Sequence, residues 1–466
     1  MVDFIPKSRA TCIASDDEQR YIVLHRDKPV WTVVNEVGYK ILSLCDGHSS
    51  VGQISHVLSQ WYGVPLEPVL SDVQSFIIRL GKEGFLFSPD PAQPVSEPSE
   101  ENFILKKVDL YITENCNLRC RHCAVAAKSK KTDYLTTEQI FKIIDEAKEL
   151  GIGSVNISGG EPLLREDCLA ILSYAAQRVK VAVATNGTLI NDYTAQVLAD
   201  LNLKIQISLD GPQASIHDFI RGKGSFDRTI NALDLLGNLG VKEKITFCST
   251  VSKNNLSSIP ELLNLAIEKG IPEIRFIPLQ NMGTARSYWS DLAPSMEDYT
   301  QFYSYAFQEV IGKFPELRIM PGFQGFMLHR PPGQVSWCPI GQILTIDAQG
   351  DLYPCSLLME PSFKLGNILK VSLQQAIESP RMREIREICL LRKSTIPECR
   401  VCPWKNFCQG GCPGSVYQLK GTLQAVDDLC EFRKKFYSQT IFRRADRKSR
   451  SFSNTLPGGD EEDSCA

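Results

Sequence analysis

Strand-like and helical patterns alternate six times between Lys107 and Pro278, and this alternation constrains the fold more than any other feature of the chain. The strand-like runs are Val108–Thr113, Ser154–Ser158, Val179–Thr185, Leu203–Leu209, Lys244–Val251 and Glu273–Pro278. The clearest helical pattern has Thr136 as N-cap, Gln139 completing a capping box and Gly151 at its end. Six such units predict an α/β fold with a parallel sheet, either open or curled into a partial barrel. Ligands of these folds bind at the C-terminal ends of the strands.

Three cysteines follow the first of these strands, at the predicted ligand-binding rim. Cys116, Cys120 and Cys123 have the spacing Cys-x3-Cys-x2-Cys. Thiolates are the usual ligands of iron–sulfur clusters. Three thiolates bind three irons of a four-iron cluster, and the fourth iron is then open to a small molecule that can bind and react there.

A second group of cysteines lies in the C-terminal half of the chain. Its members are Cys338, Cys355, Cys399, Cys402, Cys408, Cys412 and Cys430. Seven thiolates are too many for one four-iron cluster and one short of two. Because Cys-x2-Cys pairs also form zinc knuckles, zinc remains the alternative. A disulfide framework is disfavoured, since the chain shows no signal peptide and is too large to need one.

The other six cysteines have no ligand-like spacing. They are Cys12, Cys45, Cys168, Cys248, Cys389 and Cys465. Free cysteines of this kind behave as small apolar residues. We therefore expect most of them to be buried and to have no chemical role.

Polar residues and glycines also follow the second, third and fourth strands. They are Gly159, Gly160 and Glu161, then Thr185-Asn186-Gly187, then Ser208 and Asp210, with Arg221 thirteen residues past Ser208. Paired glycines let the backbone approach a ligand, and a carboxylate accepts hydrogen bonds from a ligand ammonium. Each motif alone is also typical of a turn. Together at one rim they predict a ligand pocket.

The segments on either side of the six units have different patterns. The first, up to Phe87, combines strand-like runs at Tyr21–Leu24 and Val30–Val34 with three short helical patterns, which predicts a winged-helix-like module. A stretch rich in Pro, Ser and Glu from Ser88 to Asn102 predicts a linker. The polar residues from Arg447 onward predict a disordered tail.

Composition excludes several classes of protein. The formal net charge of −3 gives no electrostatic case for binding nucleic acid or anionic lipid. The sequence contains no run of about 18 apolar residues, so we expect no membrane span. Many reduced thiols without a signal peptide predict the cytoplasm.

These motifs resemble, in combination, those of the radical S-adenosylmethionine (SAM) enzymes that carry a SPASM domain, over about Val108 to Cys430. The first segment resembles the recognition element for ribosomally synthesised and modified peptides (RiPPs), the PqqD-like fold. The resemblance implies a partial (β/α)6 TIM-like barrel. The implied domains are a PqqD-like module at 1–87, a linker at 88–103, the radical SAM core at 104–325, the SPASM domain at 326–440 and the tail at 441–466.

The resemblance also implies roles for individual residues. Cys116, Cys120 and Cys123 would bind the reducing cluster, Gly159, Gly160 and Glu161 would contact the methionyl amino end of SAM, and Ser208 and Arg221 would hold its carboxylate. Asp210 would touch the ribose region, where a turn is an equal alternative, and His122 would flank the adenine. No catalytic residue of the protein itself is implied.

Three four-iron clusters are implied in total. Cys399, Cys402, Cys408 and Cys430 would bind one auxiliary cluster, and Cys338, Cys355 and Cys412 the other. The second set lacks a fourth cysteine, and 331–337 supplies none. Its open iron would bind a substrate thiolate, or another ligand would close it. Ser356 stands where sulfatase-maturing relatives have an aspartate base, which argues against that activity.

The implied function is maturation of a precursor peptide. The front module would bind the leader by adding a strand beside Val30–Val34 and packing it on the helix at 71–80. A 5′-deoxyadenosyl radical would then start formation of a thioether or carbon–carbon cross-link, with a flavodoxin or ferredoxin as electron donor. The alternatives are a SPASM enzyme acting on a small molecule, as in heme or quinone pathways, and a non-catalytic zinc scaffold.

Overall fold

The computed structural model describes residues 4–13, 19–87, 104–125, 135–305, 317–320 and 338–451. The predicted linker at 88–103 lies outside the described residues, as do 452–466. In the part of the chain that is described, no helix combines the length and the apolar character needed to cross a bilayer.

The strands and helices are numbered in chain order. The strands are β1 Lys7–Ser8, β2 Ala10–Ile13, β3 Tyr21–His25, β4 Trp31–Val34, β5 Leu86–Phe87, β6 Lys107–Tyr111, β7 Ser154–Ser158, β8 Val181–Thr185, β9 Leu203–Ser208, β10 Ile245–Val251, β11 Glu273–Pro278, β12 Arg318–Met320, β13 Ile343–Ile346, β14 Asp351–Tyr353 and β15 Gly366–Asn367. The helices are α1 Glu36–Leu44, α2 Val51–Tyr62, α3 Leu66–Lys82, α4 Thr137–Glu149, α5 Cys168–Ala176, α6 Asp192–Asp200, α7 Ala214–Arg221, α8 Ser225–Asn238, α9 Ile259–Glu268, α10 Trp289–Leu292, α11 Met296–Tyr305, α12 Leu373–Ile377, α13 Pro380–Thr395, α14 Pro397–Arg400, α15 Lys405–Cys408, α16 Pro413–Lys420 and α17 Cys430–Ser451.

The central sheet confirms the predicted α/β architecture. Strands β6 to β11 are neighbours in sequence order and all pair in parallel, with β12 continuing the sheet beyond β11. Helix α4 begins as predicted, since Thr136 Oγ1 accepts from Gln139 N and Gln139 Oε1 accepts from Thr136 N. Its residues Ile140, Ile144 and Ala147 are buried against the sheet. Parallel order brings the C-terminal ends of six strands to one rim.

The C-terminal region joins the other edge of the same sheet. Strand β13 pairs in parallel with β6, and β14 and β15 follow in antiparallel pairs. Residues 441–451, predicted as part of a disordered tail, belong instead to helix α17. Phe436, Tyr437 and Ile441 on this helix are buried in the main core, which explains why it continues.

The first segment folds as a three-stranded antiparallel sheet, in the order β2-β3-β4, with α1, α2 and α3. Alternate residues of β3 face opposite sides of this sheet. Val23 packs into a core shared with α1 to α3, whereas Ile22 and Leu24 belong to the main core. Asn406 Nδ2 donates to the carbonyl of Arg26 over 2.6 Å. The module is therefore docked on the C-terminal region.

Candidate functional site

Three cysteine thiols line one cavity at the rim of the sheet. Cys116, Cys120 and Cys123 lie on the loop after β6 and border a cavity of about 400 Å³. Burial raises the pKa of Cys120 to about 12, so this thiol keeps its proton until a bound cation displaces it. Three thiols from one short loop, turned toward one space, suit a cluster with an open iron.

The paired glycines hold this cysteine loop in place. Gly160 N donates to Thr113 O over 2.9 Å, and Glu161 N donates to Asn115 O over 2.7 Å. A Cβ at Gly159 or Gly160 would collide with the carbonyl oxygen of Thr113 or Asn115. Gly159 also has φ of +146°, where side chains are disfavoured. Both glycines line the cavity. Glycine is required at these two positions first because the cysteine loop packs against them.

Glu161 lies beneath the cavity and not in its wall. Its side chain is fully buried and accepts from Thr185 Oγ1 over 2.7 Å, Asn186 N over 2.7 Å and Leu163 N over 3.1 Å. Burial raises its pKa above the ordinary range, against the opposing effect of these hydrogen bonds. Both carboxylate oxygens already have protein donors, and the expected contact with a ligand ammonium stays a prediction.

Asp210 is the centre of a second buried network. Its Oδ2 accepts from Arg221 Nε over 2.5 Å and from His122 Nε2 over 2.8 Å, and its Oδ1 accepts from Thr250 N over 2.7 Å. Burial on its own would raise the pKa of Asp210, but Arg221 and His122 outweigh it and hold that pKa well below its usual range. Asp210 therefore orients Arg221 and His122, and its expected position near the ribose stays a prediction.

Ser208, Arg221 and His122 line the cavity together with the thiols. The hydrogen bond between His122 and Asp210 links the cysteine loop to the segment that follows β9. Arg221 Nε donates to Asp210, and Arg221 also lines the cavity.

Other cavity residues were missed by the sequence interpretation. They are Thr250 near the end of β10 and Thr284 and Tyr288 after β11. Thr284 N donates to Cys123 O over 2.9 Å, and a Cβ on the neighbouring Gly283 would collide with the same carbonyl. Their position at or beyond the C-terminal ends of the fifth and sixth strands could have indicated them.

Cysteines of the C-terminal region line a separate cavity of about 370 Å³. Its wall includes Cys338, Cys355, Cys389 and Cys412. Strands β13 and β14 form a hairpin that turns at Gly350, with φ of +84°, and this brings Cys338 and Cys355 together. Cys412 enters from the start of α16 and Cys389 from α13.

The remaining four thiols gather nearby. Cys399 lies close to Cys402, Cys408 and Cys430, and burial raises the pKa of Cys399 to about 12. Arg433 Nε donates to Cys408 Sγ over 3.1 Å, and its other nitrogens pair with Asp427. Cys408 also lines the cavity of Cys338. The division of the seven thiols between two clusters stays a prediction of the resemblance.

Within the described ranges, no three His, Cys, Asp or Glu side chains converge on the position of a single metal ion. A four-iron cluster does not require such convergence, because each thiolate binds a different iron. Thiols spaced around a cavity therefore fit a cluster.

Three protein families match separate parts of this chain. The radical SAM superfamily matches residues 110–266, and the iron–sulfur cluster-binding SPASM domain matches 338–403. Coenzyme PQQ synthesis protein D (PqqD) matches residues 20–86, the first module.

Individual proteins are similar over most of the chain. Mycofactocin maturase MftC of Mycolicibacterium smegmatis is 32% identical over 330 residues, 68% of this chain and 81% of that protein. The antilisterial bacteriocin subtilosin biosynthesis protein AlbA of Bacillus subtilis is 28% identical over 306 residues, 65% of each chain. The structure of Streptococcus suis SuiB bound to precursor peptide SuiA has a TM-score of 0.58 and 17% identity, covering 90% of this chain and 100% of that one. At that identity the likeness shows the fold.

Proposed function

The chain belongs to the radical SAM superfamily as an enzyme with a PqqD-like module and a SPASM iron–sulfur domain, and on this basis we propose that it matures a precursor peptide. Its cofactors are SAM and iron–sulfur clusters. The proposed product is an intrapeptide thioether or carbon–carbon cross-link of a RiPP. The proposal rests above all on the presence, in one chain, of a PqqD-like module with an open strand edge and this barrel.

In the rim cavity, we assign the reducing cluster to Cys116, Cys120 and Cys123. With SAM bound, it supplies the 5′-deoxyadenosyl radical that removes a hydrogen atom from the peptide. Ser208 and Arg221 receive the SAM carboxylate, a role that suits a guanidinium. The backbone at Gly159-Gly160 borders the methionyl end. Asp210 and Glu161 act from beneath by fixing Arg221 and the strand ends.

The proposed peptide site is the free edge of β4. Among the described strands β4 pairs with β3 alone, and its Val34 shares a core with Val73 and Ile77 of α3. His25 N donates to Val30 O, so by the antiparallel alternation the N–H of Val33 points away from β3. A leader added as a strand would bond there and contact α3.

The docking of this module supports delivery of the peptide to the same chain. One face of its sheet, through Ile22 and Leu24, is part of the main core. Strands β3 and β4 both contact helix α17. A leader on β4 is thus held at a fixed position relative to the barrel.

Ile277, at the end of β11, lines both the rim cavity and the cavity of Cys338. A substrate in the first cavity therefore lies near the second. We infer that the auxiliary thiols hold electron acceptors. Formation of a cross-link removes two hydrogen atoms, so an electron must leave the substrate after the first hydrogen is abstracted. The proposed total is three four-iron clusters, with a flavodoxin or ferredoxin reducing the first.

Co-expression with the peptide encoded beside this gene tests the function. Mass spectrometry of that peptide is expected to show loss of two hydrogen atoms per cross-link. Val33→Pro removes the outward N–H and should abolish cross-linking, whereas Val33→Ala keeps the N–H and should retain it. Equal cross-linking by both variants would refute capture at β4. An unmodified peptide, with turnover of a small molecule instead, would favour the alternative substrate class.

Anaerobic purification tests the cofactor content separately. The proposal expects a brown protein with about twelve irons per chain. A colourless protein that contains zinc would refute the assignment of clusters.

A further inference from the structure

The cavity of the Cys338 group contains one thiol that the cysteine spacing did not select. Cys389 lies on α13, 34 residues after Cys355 and 10 before Cys399, and it belongs to no short motif. It lines the cavity together with Cys338, Cys355 and Cys412. The side chain is 4% exposed, so it faces the interior.

Cys389 contacts another thiol as well as the main hydrophobic core. Its side chain is hydrogen-bonded to that of Cys338, and Cys355 is also near. Cys355 in turn is close to both Cys338 and Cys412.

Cys168 belongs to the same core but lines neither thiol cavity, and this distinguishes it from Cys389. Cys408 also lines the cavity of Cys389, but it lies close to Cys399 and Cys430 of the other group. The four thiols that remain are the number that one four-iron cluster needs.

The surroundings of Cys389 also suit an anionic group. Arg392, one turn further along α13, is 1% exposed and lies near Cys338 and Cys389. Its guanidinium donates to the main-chain carbonyls of Gln409, Gly410, Leu423 and Ala425. A buried cation is costly unless its hydrogen bonds and charge are both satisfied. The four carbonyls satisfy the hydrogen bonds of Arg392, and a cluster with four thiolates would balance its charge.

We propose that Cys389 is the fourth thiolate ligand of the cluster bound by Cys338, Cys355 and Cys412. The presence of a cluster at this site is taken from the proposed function. With Cys389 as a ligand, the protein would supply one thiolate to each of the four irons. A cluster held by these four residues would supply electron transfer and would offer no iron to a substrate thiolate.

The test uses the full-length holoenzyme, purified anaerobically, with Cys389→Ala, Cys389→Ser and a matched control, Cys168→Ala. Cys168 is an equally buried helical cysteine outside the cavity. Each protein is reduced and examined by EPR and Mössbauer spectroscopy before and after addition of cyanide. Iron is counted after mild oxidation.

The wild type and Cys168→Ala should lose no more than the open iron of the rim cluster, and cyanide should leave their auxiliary signals unchanged. Cys389→Ala should lose about one further iron per chain on mild oxidation, giving an additional three-iron signal, and cyanide should shift its auxiliary spectrum. Cys389→Ser keeps the size of the side chain and should retain the iron with an altered spectrum, so it covers the case in which the alanine variant fails to fold.

Two results would overturn the proposal. One is a cyanide shift of an auxiliary signal in the wild type. The other is a Cys389→Ala protein indistinguishable from Cys168→Ala. A wild type without any auxiliary cluster would instead refute the proposed function, so the two failures are distinguishable.

Discussion

The two cavities obtain their thiols in opposite ways. At the rim, Cys116, Cys120 and Cys123 come from one loop of eight residues. In the C-terminal region, Cys338 and Cys355 flank a hairpin, while Cys389 and Cys412 come from two different helices. Within a local loop, the cysteine spacing itself indicates the ligands. At a site assembled by tertiary structure, a ligand that stands alone in sequence, as we propose for Cys389, has no such spacing.

The residues that hold the thiols in place differ in the opposite sense: those of the rim site are distant in sequence, and those of the C-terminal site are local. The cysteine loop at the rim depends on distant residues, chiefly Gly159-Gly160 and the Asp210 network. The C-terminal thiols are accompanied by arginines from their own region, Arg392 and Arg433. The predictions below test whether the rim site is independent of the C-terminal one and how far it depends on its distant supports.

The largest expected effect is that of replacing Cys116, Cys120 and Cys123 together by alanine. Production of 5′-deoxyadenosine should fall to background, because the loop then has no thiolate for the reducing cluster. The C-terminal thiols are untouched, so about eight of about twelve irons should remain. Chromatography of the nucleoside and an iron assay measure both. Normal 5′-deoxyadenosine production would refute the assignment of the reducing cluster to these three cysteines. Loss of all iron would show that the two sites are not independent.

Local patterns predicted the fold well. The alternation of strands and helices located six strands, and the capping box at Thr136 located the start of α4. The extension of the sheet by β12 and β13 was not predicted, because strand pairing between distant segments leaves no local pattern. Helix α17 was missed beyond residue 440, since its polar sequence conceals the few buried residues that hold it.

The site was predicted in outline but not in detail. Residue types at strand ends gave the members of the rim pocket. They did not distinguish wall residues such as Arg221 from buried supports such as Glu161 and Asp210. That distinction depends on which side of a strand end each side chain faces after packing.

The dependence on the Asp210 network is tested by Asp210→Asn. Loss of this carboxylate leaves the buried Arg221 charge unpaired, so we expect the free energy of unfolding to fall by about 3–5 kcal/mol. Anaerobic denaturant titration measures it. Asp234→Asn is the control, since its pair with Lys269 is largely exposed and should contribute less than about 1 kcal/mol. Equal losses in the two variants would contradict a supporting role for Asp210.

A smaller effect is expected from Gly160→Ala. The added methyl group collides with the carbonyl of Asn115, so the loop must shift, at a cost of about 1–3 kcal/mol and with weaker SAM binding. Gly81→Ala in α3 is the control, because its Cβ meets open space, and its stability should change by less than about 1 kcal/mol. Unfolding and SAM titrations check both. Unchanged SAM affinity in Gly160→Ala would show that Gly160 does not shape the SAM pocket.

The smallest predicted effect concerns pH and His217, which lies under the Asp210 network. Its Nδ1 accepts from Asp210 N over 3.1 Å, and burial, helped by the charge of Arg221, lowers its pKa to about 4. The unfolded chain therefore takes up a proton at higher pH than the folded chain does, so stability falls as pH drops below about 6.5. Between about pH 7.5 and about pH 5.5 this residue should cost about 1.3 kcal/mol. His217→Asn keeps an acceptor for Asp210 N but cannot titrate, so its denaturation midpoint should decline less over this range. A decline equal to that of the wild type would mean that other groups, outside this network, set the acid sensitivity of the rim.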